Sequence, residues 1–202
     1  TKWKTVEVKT KNPVNDSLAL AYQIQTDSLE RYKMYLRSIE IKEFTSIFED
    51  ELVKNTLQTI KVVKEIQNTN GEKGAHRYII SNNQTALNVM QLYAMLKLVA
   101  FNDRLSIDIV PLFETVTDLE NAPKVMEQLY TNKAYKAHLR SRGQKQTIML
   151  GFSDGTKDGG YFMANWAIFK AKEALTQISK QYNIDVVFFD GRGGPPARGG
   201  GK

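Results

Sequence analysis

Two carboxylates, one ammonium and two guanidinium groups stand out in this sequence, because each follows an apolar run of strand type. Glu114 ends the run in PLFET, Asp154 and Lys157 lie in SDGTKDGG, and Arg192 and Arg198 lie in GRGGPPARGGGK. Carboxylates are hard oxygen ligands that suit Mg²⁺ or Mn²⁺. Mg²⁺ commonly takes one or two protein carboxylates and completes its shell with water and substrate oxygens. Gly193, Gly194, Gly199 and Gly200 would let a backbone approach an anion closely and turn N–H groups toward it. Arg192 and Arg198 add bidentate donors for phosphate or carboxylate, and Lys157 adds a point charge. The set outlines a divalent metal beside an anion pocket, which is the chemistry of phosphoryl transfer or enolate stabilisation.

Simpler readings compete. A glutamate after a strand is often only a solvated rim residue, and Asp154 among glycines is ordinary turn chemistry. His76 and His138 have no partner at metal-ligand spacing and read as surface histidines. The last loop fails two phosphate-binding motifs. For G-x-x-x-x-G-K-[ST] the first glycine falls on Pro196, and for G-x-G-x-x-G the third does. An arginine–glycine RNA-binding tail is the alternative from another class, disfavoured because the loop follows directly on the buried-type run Val186-Val187-Phe188-Phe189.

Positioning such groups requires a scaffold, and the apolar rhythm supplies one. The first 70 or so residues read as helix, over Asp27–Ile41 and Phe44–Gln67. In the second, Ile47, Leu52, Leu57, Ile60, Val63 and Ile66 recur at helical steps before Asn68, Asn70 and Gly71 stop it. Short β-rich runs follow at Tyr78–Ser81, Ile107–Phe113, Thr147–Phe152 and Ile184–Phe189. Between them lie helical stretches over Thr85–Val99, up to about Tyr130, and over Tyr161–Tyr182. Pro123 places the regular start of the middle helix near Asn121. The Phe162, Trp166 and Phe169 stripe of the last helix reads as core packing. Strand, loop and helix in repeated order is the pattern of parallel βα units, which bind ligands at the carboxyl ends of their strands. The expected fold is α/β: a partial TIM-type (β/α) barrel of about four parallel strands over 71–202, preceded by a helical segment over 1–70.

Composition narrows the class. Hydrophobic residues at 42% and charged residues at 25% fit a soluble globular domain. No stretch approaches the roughly 18 apolar residues of a membrane span, and no signal peptide opens the chain, so the expectation is a cytoplasmic protein with no membrane partner. The absence of cysteine excludes disulfides and thiolate metal sites. A net charge of +6 admits nucleic acid or small anionic ligands alike, and the position of the arginines favours the latter. The chain stops at Lys202 inside the glycine-rich loop with no helix after the fourth strand, so a truncated barrel is expected.

PLFETVTDLENAPKVMEQL, IMLGFSDGTKDGGYFMANW and FFDGRGGPPARGGGK resemble consecutive blocks of phosphoenolpyruvate carboxylase, in order and spacing, from about Tyr78 to Lys202; the first 70 or so residues match poorly. The resemblance implies carboxylation of phosphoenolpyruvate by bicarbonate to oxaloacetate and phosphate, an anaplerotic carbon fixation that feeds the tricarboxylic acid cycle. It implies Glu114 and Asp154 as ligands of Mg²⁺ (or Mn²⁺). Lys157, Arg192 and Arg198 would be catalytic cations, with Arg192, Gly193, Gly194, Arg198, Gly199 and Gly200 holding the phosphate and carboxyphosphate. It implies phosphoenolpyruvate and bicarbonate as partners, no nucleic acid, and a homo-oligomeric parent. Departures are Asp190 where many members have His, and the Pro195-Pro196-Ala197 segment. The family's T-A-H-P-T histidine block does not occur in these residues, so the isolated chain is expected to be inactive. Uncovered edges and faces are expected to make it dimerise. The remaining alternative is another metal-dependent enzyme that handles phosphorylated enolates on the same Glu114 and Asp154 rim.

Overall fold

The computed structural model describes residues 51–101 and 104–191. The expected helix over Asp27–Ile41, the start of the next one, and the loop from Arg192 to Lys202 lie outside the described residues. Two compact units are present.

The described part of the first unit comprises residues 51–75 and 90–105 apart from 102 and 103. Helix α1 spans Glu51–Asn70 and buries Leu57, Ile60 and Gln67, the three- and seven-residue steps of one helical stripe. Leu52, expected on that stripe, is 75% exposed; it lies a turn and a half from Leu57, off the buried line. Gly71, at φ 82°, ends the helix in a conformation that costs glycine nothing, and a 3₁₀ turn follows over Glu72–Gly74. Gln67 Nε2 donates to the Ala75 carbonyl at 2.7 Å, which ties the helix end to the exit of that turn. Helix α2, Ala86–Val99, begins in the second unit and ends in the first. Its sequence is apolar on nearly every side, and Val89, Met90, Leu92, Tyr93, Leu96 and Leu98 are buried accordingly.

The second unit is the α/β layer. Strands β1 (Arg77–Ile80), β2 (Asp108–Phe113), β3 (Lys145–Gly151) and β4 (Asp185–Gly191) form one parallel sheet in the order β1-β2-β3-β4. Helix α3 (Val116–Thr131) and helix α4 (Lys133–Ser141) connect β2 to β3, and helix α5 (Ser153–Gln181) connects β3 to β4. Consecutive parallel neighbours joined through helices are the arrangement of a partial (β/α) barrel. The central strands carry the core: β2 is buried from Ile109 onward and β3 buries Gln146, Thr147, Ile148 and Leu150. The flanking strands β1 and β4 stay half open. Leu119, Ala122, Val125, Met126 and Leu129 of α3 are buried, as are Ala164, Ala167, Ile168, Ala171 and Leu175 of α5. Tyr130 Oη and Ser179 Oγ meet at 3.0 Å between these two helices.

The end of the sheet where the strands begin is locked by polar contacts. Gln146 Nε2 donates to the Ile109 and Thr147 carbonyls, its Oε1 accepts from Tyr135 Oη at 2.8 Å, and Arg142 Nε pairs with Asp108 at 2.6 Å. In barrels this end serves stability and leaves the opposite rim for chemistry.

Four expectations are corrected. Helix α3 starts at Val116, not near Asn121. Thr115 caps it, accepting from the Asp118 N–H while the Asp118 carboxylate accepts from the Thr115 N–H. This capping box outweighs Pro123, which sits mid-helix and only forgoes a bond to the Leu119 carbonyl. Second, Ser153–Gly159 is helical rather than a loop. Thr156 returns both its N–H and its hydroxyl to the Phe152 carbonyl, and Gly160, at φ 78° and ψ 169°, supplies the kink from which the long remainder of α5 departs. Third, His138 is buried within α4, ring to ring with Tyr135 at 5.9 Å. Fourth, Phe162, Trp166 and Phe169 form an exposed stripe; small and aliphatic residues on the other side of α5 make the core contact.

Candidate active site

The parallel register places the carboxyl ends of the four strands on one rim. Ile80 pairs with Pro111, Phe113 with Leu150, Leu150 with Asp190, and Gly151 with Gly191. Glu114 is the first residue after β2, and Thr115, the next, is already the cap of α3. The glutamate is therefore fixed between a strand end and a helix start, with no loop to let it wander. Its Oε2 accepts from the Asn82 N–H, beyond the end of β1, at 3.0 Å. Asn82 has φ 51°, a conformation that asparagine tolerates better than most residues, and this turns its amide toward the next strand.

Gly151 brings β3 equally close. A Cβ built there would stand 3.0 Å from Glu114 Cα and 3.3 Å from both Glu114 Cγ and the Phe113 carbonyl oxygen. Only glycine lets the two backbones approach this far. Three residues on, Asp154 occupies the first turn of α5, where a carboxylate is favoured by the helix dipole. Lys157 Nζ reaches Asp154 Oδ1 at 2.9 Å; the lysine side chain is 77% exposed and the aspartate 48%, so the pair is solvated and adds little stability. At the end of β4, Lys172 from α5 pairs with Asp190 at 2.8 Å. That pair answers the Asp190 departure: the carboxylate is matched by a lysine one helix away.

Glu114 thus directly follows β2, and Asp154 and Lys157 lie in the opening turns of α5, the helix that follows the neighbouring strand β3. Arg192, Gly193, Gly194, Arg198, Gly199 and Gly200 lie outside the described residues, which end with Asp190 and Gly191 of β4. Among the described residues no three His, Asp or Glu side chains are grouped as a metal cage. That is compatible with Mg²⁺, which asks for one or two carboxylates and takes its other oxygens from water and substrate. Glu114 Oε2 and Asp154 Oδ1 are engaged by the contacts above, which leaves each acid a second oxygen. The donor set fits a hard divalent cation.

Residues 20–202 match the phosphoenolpyruvate carboxylase family. The chain belongs to the phosphoenolpyruvate carboxylase family. The match starts at residue 20, far upstream of Tyr78, so it takes in most of the first 70 residues, against the expectation that these match poorly. The three motif blocks dominate the eye because glycine, acid and arginine are easily read; helical segments keep a family pattern only as spaced apolar positions. No described helix is long and apolar enough to cross a membrane.

Three features of the rim lay beyond the charged motifs. The Asn82 N–H that holds Glu114 left no trace in the side chains, the Gly151 approach was one glycine among many, and the Lys172–Asp190 pair joins residues far apart in sequence. The Thr115 cap was readable as T-x-x-D ahead of a helical run.

Proposed function

We propose that this chain supplies the metal-and-phosphate side of a site that carboxylates phosphoenolpyruvate with bicarbonate, giving oxaloacetate and phosphate. The observation that carries the reading is that Glu114 directly follows β2 while Asp154, paired with Lys157, opens the helix after the neighbouring strand β3. Glu114 and Asp154 would hold Mg²⁺ or Mn²⁺, and the bound ion would neutralise phosphoryl and enolate oxygens. Asn82 orients the Glu114 carboxylate, so the ligand is set before substrate arrives. Lys157 trades its solvated partner for the anionic substrate. Arg192 and Arg198 take the phosphoryl oxygens as the group passes from phosphoenolpyruvate to bicarbonate, leaving the pyruvate enolate. Carboxyphosphate then releases phosphate and carbon dioxide, and the carbon dioxide adds to the enolate carbon.

The test is oxaloacetate formation by the full-length natural protein in the presence of phosphoenolpyruvate, bicarbonate and Mg²⁺. Glu114→Gln and Asp154→Asn should each lower kcat by about 100-fold or more, since even residues that merely support ligands cost 10- to 100-fold. Turnover that ignores bicarbonate would refute the reading. The 202-residue chain alone should be inactive, as it carries no T-A-H-P-T block.

A further inference from the structure

Among the described residues one side chain is fully buried with both of its polar atoms unpaired. Asn83, in the loop between β1 and α2, is 0% exposed, and neither Oδ1 nor Nδ2 has a hydrogen-bond partner. Buried polar side chains are nearly always paired, and an orphan costs stability that an apolar residue of similar shape would not. Its backbone is held on both sides. Asn82 N–H is bonded to Glu114, while Gln84 N–H and Thr85 N–H both donate to Asn88 Oδ1. The unpaired carboxamide thus lies one residue from the group that orients Glu114. The other loop residues, Ser81, Asn82, Gln84 and Thr85, are exposed, so the carboxamide lies directly beneath a surface segment, and a ligand reaches it only if that segment moves.

We propose that the Asn83 carboxamide is a substrate contact of this rim and that its ligand is bicarbonate. The proposal rests on the functional reading above. A carboxamide presents an N–H donor and a C=O acceptor side by side. Phosphoenolpyruvate at neutral pH offers carboxylate and phosphate oxygens, which are essentially acceptors, and would leave Oδ1 unpaired. Bicarbonate carries one O–H on a planar carbon beside acceptor oxygens. A single ion therefore satisfies both atoms: Nδ2–H donates to one oxygen and the bicarbonate O–H donates to Oδ1. Asn83 carries no charge, so it recognises the ion by this donor–acceptor pattern and leaves charge neutralisation to the basic groups. A site that hydrogen-bonds a substrate O–H discriminates strongly against ligands that lack one.

The experiment is steady-state kinetics of the full-length protein, with bicarbonate varied at saturating phosphoenolpyruvate and the converse, together with thermal unfolding. Asn83→Leu keeps the branched shape and removes both polar atoms. It should raise KM for bicarbonate at least about tenfold, hold KM for phosphoenolpyruvate within about twofold, and leave Tm unchanged or higher. Asn83→Ala provides the same kinetic readout should the leucine variant not fold. An unchanged bicarbonate KM in either variant overturns the proposal while leaving the functional reading intact. So does a lowered Tm with both KM values rising together, the result expected of a structural water on the carboxamide. A wild-type protein indifferent to bicarbonate sinks the functional reading, and this proposal with it.

Discussion

Gly151→Ala tests the physical link between the sheet and the candidate site. The new methyl would stand 3.0 Å from Glu114 Cα and 3.3 Å from Glu114 Cγ and the Phe113 carbonyl oxygen. Carbon atoms rest about 3.5–4.0 Å apart, so the shortfall is several tenths of an ångström against backbone that cannot rotate away. Strands β2 and β3 are paired next to this point, Leu112 with Met149 and Phe113 with Leu150, so relief means prying the ladder open. Overpacking of this kind costs about 1–3 kcal/mol, and the entropy gained by replacing glycine returns about 0.4–1 kcal/mol. The net expectation is a loss of about 1–2 kcal/mol, read as a lower urea midpoint with an unchanged slope. In the full-length protein the same substitution should lower kcat, because Glu114 moves with the strand and small misplacements are costly in catalysis. Gly143→Ala is the control. At φ +79°, with nothing within 4 Å of an added Cβ, it pays backbone strain at the entrance to β3, far along the strand from Glu114, and should spare kcat. A Gly151→Ala protein with parental urea midpoint and parental activity would refute the reasoning.

Three further outcomes follow from the geometry. Thr115→Ala removes the cap of α3 and should destabilise the chain by about 1 kcal/mol in urea, with Asp118→Ala costing a similar or smaller amount. Burial pushes Tyr93 and Tyr130 up to about 12 from the usual 10, and Tyr135 further in the same direction. The folded chain therefore keeps these protons while the unfolded chain releases them. Stability is unaffected below about pH 10 and falls as pH rises toward 12, by about 1.4 kcal/mol per pH unit per tyrosine, which urea midpoints across that range would show. The isolated chain should self-associate, because β1 and β4 are the flanking strands, Ile79 and Phe189 on them are exposed, and α5 presents Phe162, Trp166 and Phe169. A monomer at high concentration in light scattering would count against this.

The four strands were legible because each contains a short apolar run; in β2 and β3 that run is buried, while β1 and β4 show the same run though half open. Helix ends were less so. Pro123 is a loud signal and Thr115 with Asp118 a quiet one, yet two reciprocal hydrogen bonds at the helix start decide the boundary, and the proline forfeits only one bond. Helix α4 was not anticipated. Its cap is Asn132, whose Oδ1 accepts from the Ala134 and Tyr135 N–H groups, so one asparagine both closes α3 and starts a new helix. The burial of His138 follows from that helix, since it shares a face with Tyr135 and Leu139. On α5 the aromatic residues drew attention as core, but close packing there is made by Ala164, Ala167 and Ala171, whose small size lets a neighbouring helix approach.

In the candidate site the charged groups were legible and their supports were not. Glu114, Asp154 and Lys157 were legible as ionised side chains that follow apolar strand-type runs. What positions them is neutral: a backbone N–H from Asn82, the missing side chain of Gly151 and the hydroxyl of Thr115. The same holds for Asn83, which in the sequence is one more polar residue in a polar loop. Only its burial without partners, one residue from the amide that holds Glu114, separates it from its exposed neighbours. Charge can select a loop for its chemistry, but geometry assigns the donors and acceptors within it. The bicarbonate proposal therefore rests on the one residue of that loop whose side-chain polar atoms are buried and unpaired.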